Sequence, residues 1–342
     1  MTKRYIHRIP AAAALLTMTF GAVAQDGSSG YEFLNITQSA RIYGLGGVNI
    51  STIDPELSTA DQNPALLDPE MSNQVLLDYM RYLGDSNFAG ARYTHSVGER
   101  GSWAAGVRYF GYGSMKETDV NGTVVGSFSP KDLAFSGSFA YDITDRLRGG
   151  ITVKYLHSSY EQYSASALAT DLGLNYFDVD HDFSLSIVGA NLGGQIKKFN
   201  DKSTKLPMDV RIGATKGFSG IPLRVSITAW QLTKWHLPYY ETGDGTTAED
   251  FKVKDSFGSN LFRHLIFGLD FTPSERFFVS LGYNYKTRTD MSTYSRSFLS
   301  GFSVAAGLNL RRFNIGLAFA QPHTGATTLM LNLNLNLQDL LN

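Results

Sequence analysis

The chain has 342 residues, 30 Lys and Arg against 31 Asp and Glu, a net charge of -1, and no cysteine. That balance excludes a nucleic-acid partner. The missing cysteine excludes disulfides, thiolate metal sites and a lipidated cysteine anchor. Only 18% of residues are charged, below the roughly 25% of soluble domains, while a mean hydropathy of -0.14 is too polar for a helical membrane protein and ordinary for a wall that alternates lipid-facing and lumen-facing side chains.

Residues 1–24 read as a secretory signal peptide. Lys3, Arg4 and Arg8 precede an apolar run from Ala11 to Val23, which is too short for a spanning helix, and small residues flank a cleavage point between Ala24 and Gln25. After Gln25 no apolar stretch is long enough for a transmembrane helix, so a membrane-embedded chain must cross as strands.

Residues 25–73 do not alternate. They carry Ser39-Ala40-Arg41, then Gly44, Gly46 and Gly47, a polar stretch from Ser51 to Gln62, and Asn63-Pro64-Ala65. The paired glycines suit a backbone that comes close to a neighbouring wall or takes positive φ. From Val75 onward the period is two. Trp103, Ala105, Val107 and Tyr109 oppose Arg108; Leu147, Gly149, Ile151, Val153 and Tyr155 oppose Arg148, Thr152 and Lys154; Leu329 to Leu337 alternate with Asn332, Asn334 and Asn336. Trp103, Tyr109, Tyr155 and Tyr283 sit at strand ends, where an interfacial aromatic girdle would lie.

The connections alternate too. One set is short: Gly98–Gly101, Thr144–Arg146, Asp178–Asp182, Ser219–Pro222, Thr272–Arg276 and Arg311–Arg312. The other is long or irregular: the Asn121-Gly122 tip, Ser158–Ser164, Asn200–Lys205, Thr233–Asn260, Thr287–Ser297 and Gln321–Thr324, with a short member near Gly84. Short turns on the periplasmic side and long outer loops describe an outer-membrane barrel. The expected fold is therefore all-β, a transmembrane antiparallel β-barrel of about fourteen strands over residues 74–342, both termini periplasmic, with residues 25–73 folded inside as a hatch, because a lumen of that width must be filled or left open. Ser129-Pro130 marks a bulge or a hairpin boundary, which leaves the count open by two.

Ser39-Ala40-Arg41, Leu45-Gly46-Gly47 and Asn63-Pro64-Ala65 ahead of an alternating barrel resemble the N-terminal hatch of the long-chain fatty-acid transporter superfamily of outer-membrane barrels. Within it, Tyr31-Glu32-Phe33-Leu34, Asp61-Gln62-Asn63-Pro64-Ala65-Leu66-Leu67, Gly113 to Asp119 and Asn191-Leu192-Gly193-Gly194 are similar to the PorV/PorQ family of the type IX secretion system of Bacteroidota. Val48 stands where the superfamily pattern has Ala. The resemblance implies a fourteen-stranded barrel plugged by its N-terminus. It also implies a non-enzymatic role in protein secretion and cell-surface attachment, holding a PorZ-like surface protein in a complex with PorV and the PorU sortase. The alternative that the superfamily implies is transport of hydrophobic small molecules such as fatty acids.

Chemistry is absent from the motifs. No two histidines stand three or four apart, no Gly-Lys dipeptide forms a phosphate loop, and Gly44-Leu45-Gly46 lacks the third glycine and the βαβ setting of a dinucleotide fingerprint. Gly-x-Ser-x-Gly and Ser-x-x-Lys do not occur. No catalytic residue, metal or cofactor is expected. Trp235, His236, Tyr239, Tyr240 and Phe251, in the loop Thr233–Asn260, are the candidate partner contact, since aromatics in a long loop anchor protein interfaces; the competing reading packs them over the barrel mouth. Arg108, Arg148 and Lys154, on the lumen face, are expected to pair with Asp54, Glu56 or Asp61.

Overall fold

The computed structural model describes residues 30–199, 203–242, 251–290, 299–323 and 326–341. The signal-peptide reading and the Ala24/Gln25 cleavage point lie outside these residues.

Fourteen strands close into one antiparallel barrel. In chain order they are β1 (Gln74–Arg81), β2 (Asn87–Val97), β3 (Gly101–Gly111), β6 (Lys131–Thr144), β7 (Leu147–Tyr160), β8 (Tyr163–Asp178), β9 (Phe183–Lys197), β10 (Asp209–Phe218), β11 (Ile221–Ala229), β14 (Leu265–Ser274), β15 (Phe277–Asn284), β16 (Phe302–Asn309), β17 (Phe313–His323) and β18 (Ala326–Asn336). The ring closes where β1 pairs with β18, Gln74 opposite Asn336 and Arg81 opposite Leu329. Two small hairpins, β4 (Met115–Thr118) with β5 (Val124–Phe128) and β12 (Tyr239–Thr242) with β13 (Phe251–Lys254), stand apart from the wall.

The period-two pattern becomes two faces. On β18, Leu329 and Leu331 point outward and are exposed, while Met330, Asn332 and Asn334 point inward and are buried. Trp103, Tyr109, Phe135, Phe139, Ile151, Val153 and Tyr155 share the outer face of β3, β6 and β7, the apolar band that faces lipid in a membrane barrel. Among the described residues no helix is long and apolar enough to cross a membrane.

Pro130 falls between β5 and β6, and the Tyr112 amide donates to its carbonyl at 3.1 Å. It is a hairpin boundary, so the strand count is fourteen with no pair in doubt. Ser158–Ser164 corrects the expected loop. β7 and β8 pair as far as Tyr160 opposite Tyr163, leaving a two-residue turn, because Ser158, Ser159, Ser164 and Ser166 belong to a wall that continues past the apolar band rather than to a loop.

Residues 30–73 form short turns and helices: 3-10 turns at Glu32–Asn35, Leu57–Ala60, Pro64–Leu66 and Pro69–Met71, and a single α-helical turn, α1 (Ala40–Gly44). Ser39 caps α1, its hydroxyl accepting from the Ile42 amide at 3.3 Å. Gly46 and Gly47, at φ 103° and 87°, stop it: the Gly47 amide donates to the Ile42 carbonyl at 3.1 Å, a left-handed C-terminal cap. Nearly every residue from Thr37 to Ser51 is buried, against side chains on the inner face of the wall. Among the described residues three further helices follow in chain order: α2 (Phe257–His264), α3 (Tyr285–Asp290) and α4 (Leu337–Leu341).

Candidate functional site

The site is the interior, where the N-terminal segment meets the inward side chains of the wall. Arg41 is among its most deeply buried charges. Its guanidinium pairs with Asp54 of the same segment and with Asp270 of β14, with Nε 3.1 Å from the Asp270 Oδ2, and it lies 4.6 Å above the Phe278 ring of β15. The Ala40 amide donates to Asn332 Oδ1 of β18 at 2.9 Å. Ser39 shares a 3.0 Å hydroxyl contact with Ser58. Gly44 accepts from Ser303 Oγ of β16 at 2.9 Å, and the Gly46 amide donates back to the same hydroxyl at 3.1 Å.

Asn63-Pro64-Ala65 docks on the other side of the ring. Asn63 Oδ1 caps its own turn by accepting from the Ala65 amide at 2.9 Å, while Nδ2 donates to Ile50 O at 2.8 Å and to Ser186 Oγ of β9 at 3.1 Å. Beneath this turn the wall carries Gly150 and Gly173. A methyl group on Gly150 would stand 2.6 Å from the Ala65 nitrogen, and one on Gly173 would meet the Asn63 carboxamide. Sequence reasoning missed these wall glycines and Asp270. An acid at an inward strand position, as in Gly268-Leu269-Asp270, was the one available signal.

The lumen cations pair only partly as expected. Arg108 of β3 reaches Asp61. Arg148 instead bridges Asp68 at 2.7 Å and Asp142 at 2.5 Å. Lys154 binds Asp171 at 2.6 Å, a wall-to-wall contact, because Asp171 on β8 lies one inward position along from it. Asp54 is taken by Arg41, and Glu56 accepts from Ser58 and from Asn332 at 3.1 Å.

A cavity of about 340 Å³ opens between the N-terminal segment and the long-connection ends of β15, β16 and β17. Tyr43, Val48, Tyr82, Trp230, Phe302 and Ala320 give it an apolar lining; Glu32, Asn35, Lys286 and Asp290 bring charge and polarity to it. The indole Nε1 of Trp230 is buried and has no hydrogen-bond partner.

At the same rim the loop residues divide. Trp235 is exposed and stacks on His264 at 5.1 Å. His236 is exposed, 3.2 Å from Asp255; Asn260 first and His236 second hold the Asp255 carboxyl below its ordinary range. Tyr239 turns inward and is buried under Arg263 and against the Tyr285 hydroxyl, 3.1 Å away. The side chains of Tyr240 and Phe251 lie outside the described residues. Phe257 and Phe262, on α2, extend the exposed aromatic surface. Among the described residues no group of His, Asp and Glu has the arrangement of a metal site.

A closed fourteen-stranded antiparallel barrel with an apolar outer band and a polar, charge-paired interior is an integral outer-membrane β-barrel. No protein-family model matches the chain, and no curated protein matches it. Solved structures do. The toluene transporter TodX of Pseudomonas putida superposes with a TM-score of 0.54 over 88% of this chain and 97% of TodX, at 11% identity. A second TodX structure gives 0.51 over 87% and 96% at 12% identity. A TodX mutant described as a monoaromatic hydrocarbon channel gives 0.53 over 87% and 97% at 12% identity. Likeness at this level of identity establishes the TodX-type fold.

Proposed function

We propose that this barrel passes small hydrophobic molecules across the outer membrane, that it captures them in the 340 Å³ cavity at its mouth, and that residues 30–73 act as the hatch beneath. The cavity carries the reading: its size is that of a small-molecule site, and Ile36, Tyr43, Val48, Tyr82, Phe302 and Ala320 give an otherwise polar lining its apolar part. TodX, with the same fold, is described as a toluene transporter. No chemistry on a substrate is needed, so the proposed role is non-enzymatic. The test is mass spectrometry of organic extracts from the detergent-purified mature barrel, beside Ala320→Trp, which fills the cavity. A bound hydrophobic compound, lost in the variant, supports the reading. An empty wild-type barrel that also fails to take up an added monoaromatic or fatty-acid probe ends it.

A second reading rests on a different observation: Trp235, Phe257 and Phe262 are exposed together at the mouth, the residue types that anchor protein interfaces. It makes the chain a PorQ-like component of a Bacteroidota type IX secretion system, with both termini periplasmic, holding a surface protein beside PorV and the PorU sortase. Pulldown in mild detergent from native outer membranes, with Trp235, Phe257 and Phe262 each replaced by Ser, separates the two. A stoichiometric surface protein lost on replacement favours this second role; recovery of the barrel alone removes it.

A further inference from the structure

A second, smaller cavity of about 20 Å³ lies deeper in the lumen, where Gln38 and Asp61 of the N-terminal segment face β2, β3, β6 and β7. Three cations line it: Arg92, Arg108 and Lys154. Two carboxylates answer them, Asp61 on Arg108 and Asp171 on Lys154. Arg92 is left over. It is 94% buried, being 6% exposed. Its terminal nitrogens donate only to neutral acceptors, the Ala60 carbonyl at 3.1 Å and Ser138 Oγ at 3.0 Å, and its Nε has no partner at all. Asp78, on the adjoining strand, is engaged through Oδ1 by Gln38 at 2.9 Å and keeps its Oδ2 buried without a partner. It makes no ion pair with Arg92 and does not line the cavity.

We infer that this cavity binds one small monovalent anion of halide size, chloride being the abundant candidate, held among the Arg92, Arg108 and Lys154 side chains. A guanidinium buried without a counter-ion is strongly disfavoured in a water-poor interior, more so than a paired one. One negative charge brings the three cations and two carboxylates to balance. Size decides the class of ligand. A space of about 20 Å³ is close to that of a single water or atomic ion, and it excludes the carboxylate end of a fatty acid together with its chain. The donors suit an anion as well: the Ser138 and Thr152 hydroxyls, hydrogen-bonded to each other at 2.8 Å, line the same space and keep one O–H proton between them to donate. Such an ion ties the N-terminal segment to four wall strands at the point where Arg108 already grips Asp61. This site is separate from the mouth cavity and stands whether the barrel transports molecules or holds a partner.

The experiment uses the mature chain purified in detergent from outer membranes. Crystals grown in bromide should give an anomalous peak in the cavity among the Arg92, Arg108 and Lys154 side chains; density there without anomalous signal means ordered water and overturns the assignment. In solution, unfolding in urea is followed as chloride replaces gluconate at constant ionic strength, gluconate being too large for the cavity. Chloride at about ten times its dissociation constant should raise the folded-to-unfolded ratio about tenfold, and above that the ratio should grow in proportion to chloride. In Arg92→Met that chloride dependence should vanish. A variant that keeps the wild-type dependence would show that chloride acts elsewhere and would likewise overturn the proposal.

Discussion

Gly282 of β15 lies directly against the Leu45–Gly46 peptide of the N-terminal segment. A methyl group there would run into the Gly46 nitrogen and the Leu45 carbonyl carbon, and would stand 2.6 Å from the Gly44 oxygen. Those three atoms are backbone, so they cannot swing aside as the end of a side chain does. Gly282→Ala should therefore lift the segment off β15 while leaving the strand pairing of Gly282 with Gly268 and Ser303 intact. Overpacking of this kind destabilises by about 1–3 kcal/mol. Limited proteolysis checks it: cleavage within residues 30–73 should become faster in Gly282→Ala. Gly137→Ala, where the added methyl meets nothing within 4 Å, serves as the control and should cleave at the wild-type rate.

Arg41 pairs with Asp54 in its own segment and with Asp270, 229 residues further along the chain. Arg41→Met removes one charge and leaves Asp270, 3% exposed, without its cation. Breaking a buried pair on one side costs about 3–5 kcal/mol. The loss should appear as a lower temperature for the heat-modifiable shift of the folded barrel on a detergent gel. Adding Asp270→Asn to Arg41→Met removes the stranded charge and should recover part of the loss. Equal mobility transitions for wild type and Arg41→Met would show that the pair does not hold the segment.

These two relationships mark where the sequence was readable and where it was not. The outward faces of β3, β7 and β18 were legible because a two-residue period is local: Trp103, Tyr155 and Leu331 can be assigned from their immediate neighbours. The positive φ of Gly46 and Gly47 is local as well. Partner choice is not. Nothing near Asp270 distinguishes it from Asp171, yet one meets Arg41 and the other Lys154. Gly282, Gly150 and Gly173 read as ordinary small residues in strands, and their purpose depends on which turn of the N-terminal segment rests on each. The misread Ser158–Ser164 stretch fails for a related reason, since polar strand residues beyond the apolar band carry the composition of a loop.

The Arg108–Asp61 pair admits a charge-exchange test. Arg108→Glu places two acids together beside a half-buried lumen, and should lower the detergent-heat transition and expose residues 30–73 to protease. Asp61→Arg alone should do the same by crowding a cation against Arg108, Arg92 and Lys154. The double exchange restores opposite charges on the same two positions and should recover much of the stability. Asp61 also accepts from the Thr37 hydroxyl at 3.0 Å and the Gln38 amide at 2.8 Å, and an arginine cannot accept either bond, so the rescue should remain incomplete. No recovery in the double variant would mean that those two hydrogen bonds, and not the ion pair, govern the contact.

The β4–β5 hairpin should be removable. β3 and β6 remain paired to their ends, Gly111 opposite Lys131, and the Tyr112 amide closes on the Pro130 carbonyl, so the barrel wall is complete below the hairpin. Above it, Met115, Val120, Val124 and Val125 are exposed, and two strands joined by a turn have little stability of their own. Replacing residues 115–128 with a short Gly-Ser turn should leave the heat-modifiable transition within about 0.5 kcal/mol of wild type, as expected for surface changes away from the packed interior. A large fall would show that the hairpin braces the mouth. An unchanged transition with loss of a co-purifying protein would instead assign those exposed valines to a partner, because a fully exposed apolar hairpin contributes almost nothing to the fold that carries it.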